Sequence, residues 1–101
     1  MSIVVVAPAS DVPEGEIKRF DVAGREIAVT RSDGVYYAFD PECTHEACDL
    51  VDDGEVDGTE LTCLCHFSVF DLATGEVIEG PADLPLQTFE LTSDGFLDVT
   101  I

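Results

Sequence analysis

Short apolar runs punctuated by turn-forming residues recur along the chain, the rhythm of an all-β domain. Ile3 to Ala7 reads as a strand, after which Pro8 and the Pro13 to Gly15 stretch break the chain. Glu16 to Val22 and Glu26 to Thr30 flank Ala23-Gly24 and predict a hairpin. In the second run Ile27 and Val29 share one face, with Glu26, Ala28 and Thr30 on the other, which predicts a half-buried strand. Ser32-Asp33-Gly34 then turns the chain into Val35 to Phe39. The pattern returns near the C-terminus, where Gln87 to Leu91 leads through Ser93-Asp94-Gly95 to Phe96 to Ile101, with Leu97, Val99 and Ile101 alternating with Asp98 and Thr100. No stretch offers three capped helical turns, so helix is expected at most as a turn near Pro81 to Leu84.

At 101 residues the chain fits one domain, and it carries no repeat or low-complexity segment. Its early apolar run is about six residues long and lacks a basic leader, so no signal peptide or anchor is expected and the protein is placed in the cytoplasm. The net charge is −18, with the carboxylates spread along the chain. Such a surface repels phosphates and anionic lipids, which argues against nucleic-acid or membrane partners. Steering toward a basic protein partner, solubility and adaptation to high salt would each account for it.

The chemistry is concentrated in one place. All four cysteines and both histidines fall between Cys43 and His66, within residues 40 to 85, a stretch rich in Gly, Asp and Pro. Thiolate and imidazole together favour zinc or iron–sulfur over calcium or magnesium. Cys43-x-His45 and Cys63-x-x-His66 form two such pairs with 17 residues between them. That spacer, with Asp53-Gly54, Gly58 and Leu61-Thr62, suffices for a hairpin that returns the second pair to the first. Tetrahedral zinc remains open to this donor set, although zinc fingers tend to keep cysteines with cysteines and histidines with histidines.

The mixed pattern C-x-H…C-x-x-H resembles the Rieske family, in which two cysteines hold one iron of a [2Fe–2S] cluster and two histidines hold the other. The resemblance extends through CLCHFSVFDLATGEVIEGPADLPL, where Cys63, His66, Ser68, Phe70, Asp71, Gly75, Gly80, Pro81 and Ala82 occupy the family's motif positions, and upstream through SDGVYYAFDPECTH. It implies an all-β Rieske fold: an antiparallel, sandwich-like base of residues 1–40 and 86–101, and an inserted cluster-binding subdomain of residues 41–85. By it Cys43 and Cys63 would bind one iron, and His45 and His66 the other. Replacing two thiolates by neutral imidazoles makes the site less negative and easier to reduce, hence about −150 to +300 mV for Rieske centres against about −400 mV for plant-type ferredoxins.

The resemblance also assigns the remaining residues. Cys48 and Cys65 match the positions at which Rieske proteins of cytochrome bc complexes join their two loops by a disulfide, a pair that soluble Rieske ferredoxins usually lack; two free thiols packed under the loops are the alternative. Ser68 would donate a hydrogen bond to a cluster sulfide and raise the potential. Phe70 stands where the high-potential branch often has Tyr, and the missing hydroxyl would lower it. Phe67 replaces a common Gly and Leu64 a common Pro, while Gly80-Pro81-Ala82 would form a rigid cover and Phe67, Pro81 or Leu84 a small docking patch.

The implied function is that of a one-electron carrier rather than an enzyme: a monomeric Rieske-type ferredoxin passing electrons from a flavin-containing ferredoxin reductase to a terminal aromatic-ring dioxygenase. A Rieske small subunit of an oxidoreductase complex, of the nitrite reductase or arsenite oxidase type, is a second reading. A zinc-stabilised interaction module is a third, from a different class.

Overall fold

The computed structural model describes residues 3–44 and 48–101. Among the described residues, ten strands form two antiparallel sheets. The larger contains β1 (Ile3–Pro8), β2 (Ile17–Val22), β3 (Arg25–Ser32), β4 (Val35–Phe39), β9 (Thr88–Ser93) and β10 (Phe96–Thr100), in the order β1-β10-β9-β4-β3-β2. The smaller runs β5 (Gly54–Asp57), β6 (Glu60–Cys63), β7 (Val69–Asp71) and β8 (Val77–Glu79). The strands anticipated from the alternating pattern are all present. The hairpin at Ala23-Gly24 closes with both residues at positive φ, 54° and 84°, as a two-residue turn between right-twisted strands requires.

In the large sheet, β2, β3, β4 and β10 turn Val22, Ile27, Val29, Ala38, Leu97 and Val99 into one core. The sheet's outermost strands, β1 and β2, also approach one another, so the sheet curls around these side chains. A second core lies on the opposite face, where Ala28 and Phe39, paired across β3 and β4, pack with Leu50, Leu61, Cys63, Phe70, Leu72, Ala82 and Leu86.

This second core corrects the sequence expectation for β3. Ile27, Ala28, Val29 and Thr30 are all completely buried, because the smaller sheet covers the face that alternation assigned to solvent. Ala28 is small enough to admit that layer, and Thr30 is satisfied locally by donating its hydroxyl to the Glu16 carbonyl at 2.8 Å.

The helical expectation is also corrected. No helix forms at Pro81 to Leu84, where Leu86 N–H instead donates to the Gly75 carbonyl at 2.7 Å and Pro85 disfavours helical backbone before it. Among the described residues the one α-helix, the short α1 (Leu50–Asp53), is started by Asp49, whose carboxylate accepts from Val51 N–H at 2.8 Å. A 3-10 turn follows β1 at Ala9–Asp11. The two strands β7 and β8 also lie in a stretch that the sequence pattern left as loop. No described helix is long and apolar enough to cross a membrane.

Candidate metal centre

Two loops and a covering segment converge beside the second core. The first loop leaves β4 and is cinched by Cys43 N–H donating to the Cys48 carbonyl at 3.0 Å. The second begins at Cys63, the last residue of β6, and closes on itself through Cys63 N–H to the Ser68 carbonyl at 2.8 Å and Phe67 N–H to the Cys63 carbonyl at 2.7 Å. The β5–β6 hairpin returns the second loop to the first, since Gly54 pairs with Cys63 and Leu64 N–H donates to the Asp53 carbonyl at 2.7 Å. The 17-residue spacer thus contains α1 as well as the hairpin.

Cys43 and Cys63 carry the free thiols, and both are buried. Burial pushes the Cys63 thiol above its usual pKa; the backbone N–H groups of Cys65 and His66 act in the opposite direction, and the hydrogen-bonded Cys43 thiol adds to the rise. Two thiols in mutual contact in an apolar pocket, with peptide N–H groups aimed at one sulfur, suit a metal that displaces their protons and leaves thiolates. His66, the residue immediately after Cys65, is exposed on the second loop. His45 lies outside the described residues.

Cys48 and Cys65 are joined as a disulfide between the two loops. Their sulfurs lie within 4.8 Å of the Cys63 sulfur and of one another. Since the bridge occupies two of these sulfurs, it leaves Cys43 and Cys63 as the thiol donors. Cys48 is buried and Cys65 exposed.

The covering segment is Gly80 to Leu86. Ala82 N–H donates to Ser68 Oγ at 3.0 Å, in a fully buried contact, and Thr44 Oγ1 donates to the Leu84 carbonyl at 2.7 Å. The cover is therefore held to both loops. Pro81 itself is exposed, and Ala82 makes the inward contact. Phe70 is fully buried in the same core as Cys63. Phe67 is 66 % exposed and holds φ of 64°, a left-handed backbone that costs a non-glycine residue roughly 1–2 kcal/mol.

Several supports carry no motif in the sequence. Gly75, at φ of 80°, sits so close to the Leu86 carbonyl that any side chain there would collide with it, and it exchanges backbone contacts that seat the cover. Arg19 on β2 both hydrogen-bonds and ion-pairs with Asp49, fastening the start of α1 to the large sheet. Burial by itself would raise the Asp49 pKa, but the Val51 N–H and the Arg19 guanidinium outweigh it and hold the carboxyl below its usual range. The Asp-x-x-Asp spacing around α1 was a readable capping signal; the Arg19 contact, 30 residues away, was not.

Two buried thiols and an exposed histidine on hairpin-borne loops, closed by a tethered cover, define a small β protein built to hold a thiolate- and imidazole-ligated metal centre. Comparison with known families makes this specific. The sequence matches the Rieske [2Fe-2S] domain over residues 2–90, and the chain belongs to that family. It is 36% identical over 101 residues to the ferredoxin component of the p-cumate 2,3-dioxygenase system of Pseudomonas putida, covering 96% of this chain and 86% of that one. Among solved structures it is similar to the Sphingomonas yanoikuyae B1 ferredoxin, with a TM-score of 0.87 and 30% identity over 97% of both chains. It is also similar to a chain of a complex between reduced oxygenase and oxidised ferredoxin in carbazole 1,9a-dioxygenase, with a TM-score of 0.85 and 32% identity over 96% of this chain and 91% of that one. The family's cofactor is a Rieske-type [2Fe–2S] cluster, and the donor set found here fits it.

Proposed function

We propose that this chain is the ferredoxin component of a ring-hydroxylating dioxygenase system, carrying single electrons to a terminal oxygenase and performing no bond chemistry itself. The observation that carries this reading is the meeting of the buried Cys43 and Cys63 thiols beneath a loop that leaves His66 exposed. Cys43 and Cys63 are assigned to one iron, and His45 and His66 to the other. When bound, a [2Fe–2S] cluster gains and loses one electron at a time.

The residues of the chain set the conditions for that exchange. The apolar core around Cys43 and Cys63 keeps water from the thiolate side, while the exposed loop around His66 gives electrons a short path to the surface. Ser68 accepts from Ala82 N–H, which leaves its own hydroxyl proton available to donate toward the cluster. The disulfide and the Ser68–Ala82 bond hold the two loops and their cover in one arrangement, so little reorganisation accompanies a change of charge.

The electron donor is assigned as a flavin-containing ferredoxin reductase, and the protein as a soluble cytoplasmic monomer. The assigned ligand set is tested by purifying the protein, recording its visible absorption and reduced-state EPR, and assaying iron, labile sulfide and zinc. Two irons and two sulfides per chain are expected, with the EPR signal of low average g that imidazole ligation produces, and substitution of His45 or His66 should abolish that signal. Zinc without iron or sulfide would end the proposal in favour of a zinc-stabilised module.

A further inference from the structure

The disulfide between Cys48 and Cys65 is reachable from two sides. Cys65 is exposed, and Cys48, though buried, lines a cleft of about 270 Å³ between the large sheet and the first loop. Arg25 and Glu26 at the start of β3 form one wall of this cleft, and Asp40, Glu42 and Asp49 belong to the other. Arg25 pairs with Asp40, and Arg19 with both Asp49 and Glu26. Four carboxylates around the cleft therefore meet two guanidiniums, and the approach to Cys48 is negatively charged.

Thiol–disulfide exchange proceeds by attack of a thiolate on one sulfur while the other sulfur leaves with the charge. Attack on Cys65 would leave that charge on Cys48, which is 7 % exposed and has the Asp53 carboxylate 4.0 Å from its sulfur. Attack on Cys48 leaves it on Cys65, where water solvates it. The productive approach thus runs through the acidic cleft. Opening the bridge would not dissolve the loops, because the Cys43 N–H to Cys48 carbonyl bond, the Leu64 N–H to Asp53 carbonyl bond and the β5–β6 pairing are independent of it. What it removes is the covalent tie between the two loops that carry the assigned ligands. In the cytoplasm to which the protein is assigned, thiols are kept reduced, and bridges found there are mostly redox-sensing rather than permanent.

We propose that Cys48–Cys65 is a reversible redox switch on cluster retention, opened through this cleft by dithiols of neutral or positive charge. The inference rests on the [2Fe–2S] carrier function proposed above. One thiolate of the dithiol attacks Cys48 Sγ, the Cys48–Cys65 bond breaks, and Cys65 leaves as a thiolate that takes up a proton. The second thiol of the reductant then attacks its own first sulfur, leaves as a cyclic disulfide and returns Cys48 as a thiol. Two electrons and two protons pass from the dithiol to the bridge, and exchange with an oxidised disulfide reverses the step.

The test uses the cluster-loaded full chain at neutral pH and low salt. It is exposed to dithiobutylamine (cationic), dithiothreitol (neutral) or dihydrolipoate (anionic), and samples are alkylated under denaturing conditions and weighed. A closed bridge gives two alkylated cysteines and an open one four. Each rate is divided by the same reagent's rate on hydroxyethyl disulfide, which cancels intrinsic thiol reactivity. The normalised rate should be roughly tenfold higher for dithiobutylamine than for dihydrolipoate, with dithiothreitol between, as charge steering at low salt produces. Molar KCl and the double variant Glu26→Gln/Glu42→Gln should each narrow that spread. Once the bridge is open, bleaching of the visible absorption by an iron chelator should run roughly tenfold faster, a fraction of the loop-closure effect of such a cross-link. Reclosing the bridge with hydroxyethyl disulfide should slow it again. Cys48→Ser/Cys65→Ser should bleach at the open rate with or without dithiol, and if that variant does not load, the native chain opened by dithiothreitol supplies the same comparison.

A bridge that dithiothreitol opens only in denaturant, a charge order that the Glu26→Gln/Glu42→Gln variant leaves intact, or an opened chain that keeps its cluster as long as the closed one would each overturn the proposal. The alkylation count does not depend on the cluster. If the native chain shows no reduced-state Rieske signal while its bridge opens in the expected order, it is the carrier function that fails and the bridge chemistry that stands, and the two failures are thereby told apart.

Discussion

The backbone N–H of Ala82 donates to the hydroxyl oxygen of Ser68 across 3.0 Å, and both residues are buried. Through this contact the cover from Gly80 to Leu86 is fastened to the loop that carries Cys63 and His66. In the role proposed for it above, the same hydroxyl would accept from Ala82 and donate toward the cluster, so that one side chain would couple the seating of the cover to the electrostatics of the centre.

Ser68→Ala removes both roles. It leaves the Ala82 N–H buried with no acceptor, at a cost of about 1–3 kcal/mol, and deletes a donor that favours the more negative, reduced state. Denaturant unfolding should show the loss of stability, and voltammetry a lower midpoint potential. An unmoved potential would separate the hydroxyl from the cluster.

Phe70→Tyr adds a hydroxyl inside the core that contains Cys63. A donor to the Cys63 sulfur stabilises the reduced state, so the potential should rise relative to the native chain in the same buffer. A fall in stability with no change in potential would show that the hydroxyl finds no sulfur and is simply buried unsatisfied.

Gly75→Ala should be among the most damaging single-methyl additions in the chain. The new Cβ meets the Leu86 carbonyl, and φ of 80° is strained for alanine. A loss of about 2 kcal/mol or more is expected in thermal or chemical unfolding. The same change at Gly95, which has the same φ but open space around it, should cost less.

Replacing Cys48 and Cys65 by serine opens a loop whose ends are 17 residues apart. The chain-entropy account of cross-links assigns such a closure about 3 kcal/mol, so the double variant should unfold at correspondingly lower denaturant. Intact mass of the native cluster-free chain under denaturing conditions should show two alkylatable thiols before reduction and four after.

The contact between Arg19 and Asp49 predicts an acid dependence. Because the folded-state pKa of Asp49 is depressed, its contribution to stability is complete above the unfolded carboxyl value of about 4 and disappears as pH falls through the lower folded value. Arg19→Ala weakens the charge partner and also frees the start of α1 from β2. Unfolding curves from pH 7 to pH 2 should therefore show the native chain retaining an advantage over Arg19→Ala at neutral pH that narrows below pH 4.

The chain's own order of residues determined the strands of the large sheet, the hairpin at Ala23-Gly24, the all-β class and the pairing of one Cys with one His in each loop, because alternation, turn chemistry and ligand spacing are properties of neighbouring residues. The burial of Ala28 and Thr30 was decided by the smaller sheet laid across β3, a layer whose short strands β7 and β8 carry too few residues to show a period. The position of the helix was decided by Asp49 at its start and Arg19 across from it, rather than by the Pro-rich stretch that first suggested one. Likewise the apposition of Ser68 with Ala82, of Gly75 with Leu86, and of Cys48 with Cys65 exists only after the loops converge. Contacts between residues this far apart depend on how two sheets pack, which no local pattern encodes; the exposure of Phe67 follows from the same packing, which closes the core beneath the second loop and leaves its ring outside.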